Sequence, residues 1–126
     1  MDRPPLPGTL NEIARIVGRD AALTLALHLG GARVNIPQRW RKGNELDELI
    51  GIDAAKRMSK TYGGERLLIP SAKHALIHWL HIERKPPMSV RDTALAVKLS
   101  ERTVYAVLEG RPADDRQIDL FRASAQ

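Results

Sequence analysis

The chain has 126 residues, a formal net charge of +5 from 20 Lys or Arg against 15 Asp or Glu, and a pI near 10. That length suits one or two small domains with a modest core, and the absence of cysteine rules out a disulfide framework or a thiolate metal site. No apolar run is long enough to span a bilayer, and proline-rich Met1 to Gly8 lacks the apolar stretch of a signal peptide. These features predict a cytoplasmic protein with no membrane association, and its charge favours anionic partners, nucleic acid first.

Residues 1–9 are expected to form a disordered tail. The next segment is organised by an internal duplication. Gly30-Gly31-Ala32-Arg33-Val34-Asn35-Ile36-Pro37 returns as Gly63-Gly64-Glu65-Arg66-Leu67-Leu68-Ile69-Pro70. Without a gap, residues 11–37 align with 44–70, with identities that include Asn11/Asn44, Gly18/Gly51, Asp20/Asp53, Ala21/Ala54, Arg33/Arg66 and Pro37/Pro70. Each copy reads as helix, turn and short strand. Ile13, Ile16, Val17, Leu25 and Leu29 supply apolar positions at helical spacing. Gly18 and Gly51 break the helix, Asp20 and Asp53 suit an N-cap for its restart, and the Gly-Gly pair ends it.

Arg33 to Ile36 and Arg66 to Ile69 then alternate with the two-residue period of a strand, which proline closes. So short a strand needs a partner for its backbone groups. The two copies are expected to pair as a pseudo-twofold unit over residues 10–71, with Arg33, Val34, Asn35 and Ile36 against Arg66, Leu67, Leu68 and Ile69. The other arrangement pairs each copy with a second chain, so the protein is either a self-paired monomer or a homodimer.

Between the copies, Arg39, Arg41 and Lys42 surround Trp40. The favoured reading is a solvated loop whose tryptophan anchors on the core; the other is a phosphate-contacting patch. A helix over residues 71–85 follows, within a connecting segment 72–87. Ser71 is its expected cap, its apolar face is Leu76, Trp79 and Leu80 flanked by Ile77 and Ile82, and Pro86-Pro87 stops it. His74, His78 and His81 lie at i, i+4 and i+7, a spacing that can serve a metal. With no cysteine and no carboxylate clearly placed as a further ligand, a partly exposed polar stripe is the preferred reading, and no metal or cofactor is expected.

Residues 88–126 read as a helix-turn-helix module. Ser89 and Asp92 open the first helix in the manner of a capping box. A turn through Leu99 and Ser100 leads to a second helix over 101–109. Ser100 caps it, and Leu99, Val104 and Leu108 face the packing side. Glu101, Arg102, Thr103 and Tyr105 stand at the N-terminal end, which in such modules reaches base edges and phosphates. From Glu101 onward there are four Arg against five Asp or Glu, so phosphate neutralisation falls to Arg84, Lys85, Arg91, Lys98 or the repeat unit. Residues 115–123 are expected as a closing helix that packs Ile118, Leu120 or Phe121 on the module.

Gly63-Gly64, Ile69-Pro70, Ser89-Val90 and Thr103-Val104-Tyr105, in this order over residues 46–110, resemble the Mor/C family of transcription activators from Mu-like bacteriophages. The resemblance implies a dimerisation unit followed by a DNA-binding module, with double-stranded DNA and RNA polymerase as partners in the bacterial nucleoid. It gives Ser100, Arg102, Thr103 and Tyr105 the DNA-facing roles. The duplication implies that this chain supplies its own dimerisation partner and carries a single reading head.

No nucleophile elbow, phosphate loop or metal-hydrolase spacing is present, so an enzyme is not expected. The expected function is sequence-specific DNA binding by a transcription regulator, an activator, of a prophage or mobile element. The rival is a protein-binding antagonist that has lost DNA reading, suggested by the mildly acidic C-terminal module. The fold class expected is mainly α: tandem helix–turn–short-strand repeats forming a two-stranded β-ribbon, then a helix-turn-helix.

Overall fold

In a computed structural model that describes residues 6–110, Leu10, Ile13 and Val17 recur at helical spacing and are buried along one face of α1 (Gly8–Val17). The helix thus begins inside the stretch expected as a tail, because Leu10 is needed in the core. Gly18 ends α1 with φ +97°, a conformation that costs glycine little. Its N–H donates to the Ala14 carbonyl at 2.8 Å, and its own carbonyl accepts from Ala22 at 3.1 Å to start α2 (Arg19–Leu29). Gly51, at φ +89°, repeats the device between α3 (Glu45–Ile50) and α4 (Ile52–Tyr62), bonding Asp47 and Ala55. Asp20 and Asp53 are not the caps: glycine holds that position, and each aspartate sits in the first turn, where the helix dipole favours an acid.

The chain is mainly helical with one small two-stranded antiparallel sheet. β1 (Arg33–Asn35) and β2 (Arg66–Leu68) pair with Arg33 opposite Leu68, Val34 opposite Leu67 and Asn35 opposite Arg66. Val34 and Leu67 are equivalent residues of the two copies, so a pseudo-twofold axis passes through that central pair. The flanking hydrogen bonds obey it. Gly31 N–H donates to Ile69 and Gly64 N–H to Ile36; Ile69 N–H donates to Ala32 and Ile36 N–H to Glu65. Ile36 and Ile69 are buried, Val34 and Leu67 half-buried, and the alternate side chains Arg33, Asn35, Arg66 and Leu68 exposed. All eight residues expected to pair therefore lie in the ribbon or at its ends.

The second chain crossing is reciprocal too. A Cβ on Gly30 would strike the Ala26 carbonyl oxygen and stand 2.9 Å from the Cα of Ser71. A Cβ on Gly63 would strike the Ser59 carbonyl oxygen and stand 3.1 Å from the Cα of Gln38. Each copy's exit strand thus runs over the other copy's helix terminus, where only glycine lets two backbones come so close. The helices interleave in the same way. α1 packs on α2 of its own copy and on α4 of the other, while α3 packs on α4 and on α2. Leu23, Leu25, Leu46, Ala55 and Met58 are almost wholly buried in this unit, each large apolar side chain stabilising it by about 1.5–3 kcal/mol.

The two first helices differ. Asn44 caps α3, its side chain accepting from the Leu46 N–H at 3.0 Å, but its counterpart Asn11 lies within the longer α1. Trp40 is anchored: its Nε1 donates to Asp47 Oδ1 at 2.7 Å, and Asp47 Oδ2 accepts from Gly43 N–H at 3.1 Å. Asp47→Ala should therefore release the loop and cost about 1–3 kcal/mol in chemical denaturation; an unchanged midpoint would show that these bonds hold nothing. Partial burial raises the Tyr62 phenol above its ordinary pKa, with smaller contributions from Glu12 and Glu65. The folded state holds that proton more tightly than the unfolded chain, so this stabilisation is present at neutral pH and lost as pH climbs through the raised value.

The chain divides into two compact units, Pro5–Ala72 and a second beginning at Lys73. The supposed connecting helix belongs to the second unit: α5 (Lys73–His78) packs on both α6 (Val90–Val97) and α7 (Glu101–Leu108). It starts two residues after Ser71, behind Ala72 at φ +44°, so Ser71 does not cap it. At Trp79–Glu83 it widens into a π-helical turn, closed by Arg84 N–H to the Trp79 carbonyl at 2.8 Å. The extra residue shifts the helical phase. Ala75, Leu76, Ile77 and Leu80 are buried and Trp79 is half-buried, while Ile82, expected to flank the apolar face, turns outward at 44% exposure.

The histidine stripe is divided among different duties. His78 Nδ1 pairs with Glu83 Oε2 at 2.8 Å, His81 Nδ1–H donates to the Met88 carbonyl at 2.7 Å, and His74 is exposed. His78 and His81 thus fasten the π turn and the Pro86-Pro87 loop after it. Among the described residues no helix is long and apolar enough to cross a membrane. The expected closing helix, with Ile118, Leu120 and Phe121, lies outside the described residues, as do residues 1–5 of the tail.

Candidate nucleic-acid interface

Ser89 starts α6, its hydroxyl accepting from the Asp92 N–H at 3.0 Å, with Asp92 in the first turn. Thr93, Ala94 and Val97 face inward, while Leu95 is 69% exposed. The helix ends at Lys98, a left-handed residue with φ +60° and ψ +43°. Three bonds fasten that end: Lys98 N–H and Leu99 N–H both donate to the Ala94 carbonyl, the latter at 3.0 Å, and Lys73 Nζ donates to the Val97 carbonyl at 2.7 Å. An ammonium there also opposes the negative end of the helix dipole. Sequence reading missed Lys73 because its partner is 24 residues away and on another helix.

The turn is tight, with only Lys98, Leu99 and Ser100 between the helices. Leu99 is buried in it. Ser100 caps α7, accepting from Thr103 N–H at 3.1 Å, and its hydroxyl meets Thr103 Oγ1 at 2.9 Å. Thr103 is 3% exposed and Val104 is fully buried, so these two pin α7 onto the rest of the unit. This corrects the expectation for Thr103. Its hydroxyl is spent on the cap and its methyl on the core, and it does not face outward. Ser100, half-buried and likewise engaged, serves as the cap.

The outward stripe of α7 is Glu101, Arg102 and Tyr105, all exposed, with Tyr105 one turn beyond the first two. Arg84, Lys85, Arg91 and Lys98 are also exposed. Among the described residues none of these four, nor Arg102, is ion-paired with a carboxylate. Arg91 and Glu101 share one shallow groove with Ala94, Leu95 and Leu99, so the start of α6 and the start of α7 open on a common surface. Five of the nine residues expected at the interface are thus exposed cations, two are the exposed Glu101 and Tyr105, and two form the cap beneath.

Lys98 carries the backbone strain of this region. Lys98→Gly should raise stability by about 0.5–1 kcal/mol, read from the denaturation midpoint, because glycine holds a positive φ without the Cβ clash. A lowered midpoint would mean that the lysine side chain stabilises the turn by more than its backbone costs.

Among the described residues there is no cluster of three or more His, Cys, Asp or Glu that could hold a metal. Compared with protein-family models, with curated proteins and with solved structures, the chain matches none.

Proposed function

We propose that this chain is a sequence-specific DNA-binding transcription regulator of a prophage or mobile element, with α6 and α7 as a helix-turn-helix and α5 as its supporting third helix. What carries the reading is the division of labour on α7: Thr103 and Val104 inward, Arg102 and Tyr105 outward at its capped N-terminal end. A helix presented in this way fits the major groove, where Arg can bond guanine bidentately and Tyr can touch a base edge or methyl group. Arg91, Lys98, Arg84 and Lys85 supply phosphate contacts, which position the helix without reading sequence. Thr103 acts from beneath, by fixing the cap.

The repeat unit, in this reading, descends from a dimerisation domain that has acquired its own partner within one chain, so the molecule is a monomer with one reading head. The resemblance to the Mor/C activators supplies the sense of regulation, activation, and RNA polymerase as the protein partner. The test is binding of the intact chain to genomic duplexes over a range of salt. Affinity should fall as salt rises, and no affinity at low salt would refute the proposal.

One observation favours the antagonist as second reading. Leu95 stands 69% exposed over the groove it shares with Leu99, a surface suited to a protein contact. On the antagonist reading Leu95→Ser should abolish binding to the protein partner, whereas on the DNA-binding reading it should leave duplex affinity as it was.

A further inference from the structure

Equivalent faces of α2 and α4 differ in chemistry. Leu23, Thr24 and Leu27 of α2 correspond to Lys56, Arg57 and Lys60 of α4. Leu23 is fully buried and Leu27 half-buried, whereas the three cations are all exposed. Lys60 follows Arg57 by three residues and Lys56 by four, spacings at which like charges weaken an isolated helix slightly, so helix stability does not account for them.

The loop after β1 carries exposed Arg39, Arg41 and Lys42 around Trp40. Lys56 Nζ lies 4.6 Å from the centroid of the Trp40 ring, and Asp47 holds both Trp40 and Gly43. Lys56 thus joins α4 to a loop that its own hydrogen bonds already hold in place. Among the described residues no carboxylate forms an ion pair with any of these six cations. Of the acids in this copy, Asp47 is held by Trp40 and Gly43 within the loop, Glu45 and Glu48 lie in the first turn of α3, Asp53 lies in that of α4, and Glu65 precedes β2; the first-turn acids are favoured there by the helix dipoles.

We propose that the exposed cations of this loop and of α4 grip the phosphate backbone of duplex DNA without reading sequence. The inference rests on the DNA-binding function above and assigns the repeat unit a share in it. Cations held on a fixed loop and helix lose little freedom on binding, and each phosphate they neutralise releases counterions. The first copy carries Leu23, Thr24 and Leu27 at the positions that match those of α4 and contributes no such contact there.

The test compares the intact chain with Lys56→Gln/Arg57→Gln/Lys60→Gln and with Arg102→Ala, on a preferred and a random duplex, by fluorescence anisotropy over a salt series. The triple variant should weaken both duplexes by the same factor, about 10-fold or more at low salt, and flatten the slope of log K against log salt by about 2–3. Preference between the duplexes should stay at the wild-type ratio, whereas Arg102→Ala should narrow it. The loop variant Arg39→Gln/Arg41→Gln/Lys42→Gln, which leaves α4 untouched, should flatten the slope similarly. Wild-type slopes in both triple variants would overturn this inference and leave the reading helix standing. A wild-type chain that binds neither duplex would overturn both.

Discussion

Gly30→Ala is expected to cost about 3 kcal/mol or more of folding stability, and Gly63→Ala the same, although neither residue has a side chain to lose. The added methyl group meets backbone on both sides: the Ala26 or Ser59 carbonyl four residues back in its own helix and the crossing chain at Ser71 or Gln38. Backbone cannot rotate aside as a side chain can, so the clash is relieved only by moving the ribbon away from the helix ends. That movement disturbs the hydrogen bonds of Gly31, Gly64, Ile36 and Ile69 on both sides of the axis. Gly8→Ala is the control, because a Cβ there meets nothing within 4 Å. Denaturation that puts Gly30→Ala and Gly8→Ala within a few tenths of a kcal/mol of each other would refute the crossing. A loss at one glycine without the other would refute its pseudo-symmetry.

Arg102→Ala/Tyr105→Ala is expected to remove about 100-fold of specific DNA affinity while leaving the fold intact. Both side chains are exposed, so neither is missed by the core, and surface substitutions of this kind change stability by about 0.5 kcal/mol at most. A well-placed base contact is worth about 1–3 kcal/mol, and two such contacts give the stated loss. Thr103→Ala should behave oppositely. It removes a buried methyl and the hydroxyl paired with Ser100, so stability falls by about 1–2 kcal/mol and the salt slope is retained. If the double variant binds its preferred duplex as tightly as the wild type, α7 is not the reading helix.

How much of this was legible in the sequence depends on the range of the interactions involved. The ribbon was, because a Gly-Gly pair, a four-residue alternation and a proline recur in both copies, and equivalent strands can satisfy each other's backbone groups. The caps at Asn44, Ser89 and Ser100 are local, and those at Ser89 and Ser100 follow from residue type and spacing. Asp20 and Asp53 misled because Gly18 and Gly51 reach the capping geometry through a positive φ, without a side-chain bond. The π turn was hidden: nothing at Trp79–Glu83 announces an extra residue, and its fastenings, His78 to Glu83 and His81 to Met88, follow no regular helical spacing. Thr103 was placed outward by analogy with recognition helices, while its neighbour Val104 set the buried phase of α7. The cross-copy helix packing had no sequence signature at all, since each amphipathic face is equally satisfied by its own copy or by the other.

Selection of duplexes from a random-sequence pool by the intact, wild-type chain tests the central claim most directly. The account predicts retained duplexes that share one short motif, matching a single reading head on a self-paired monomer, with retention that falls steeply as salt rises. A pool that emerges unenriched, with no duplex retained even at low salt, would contradict it.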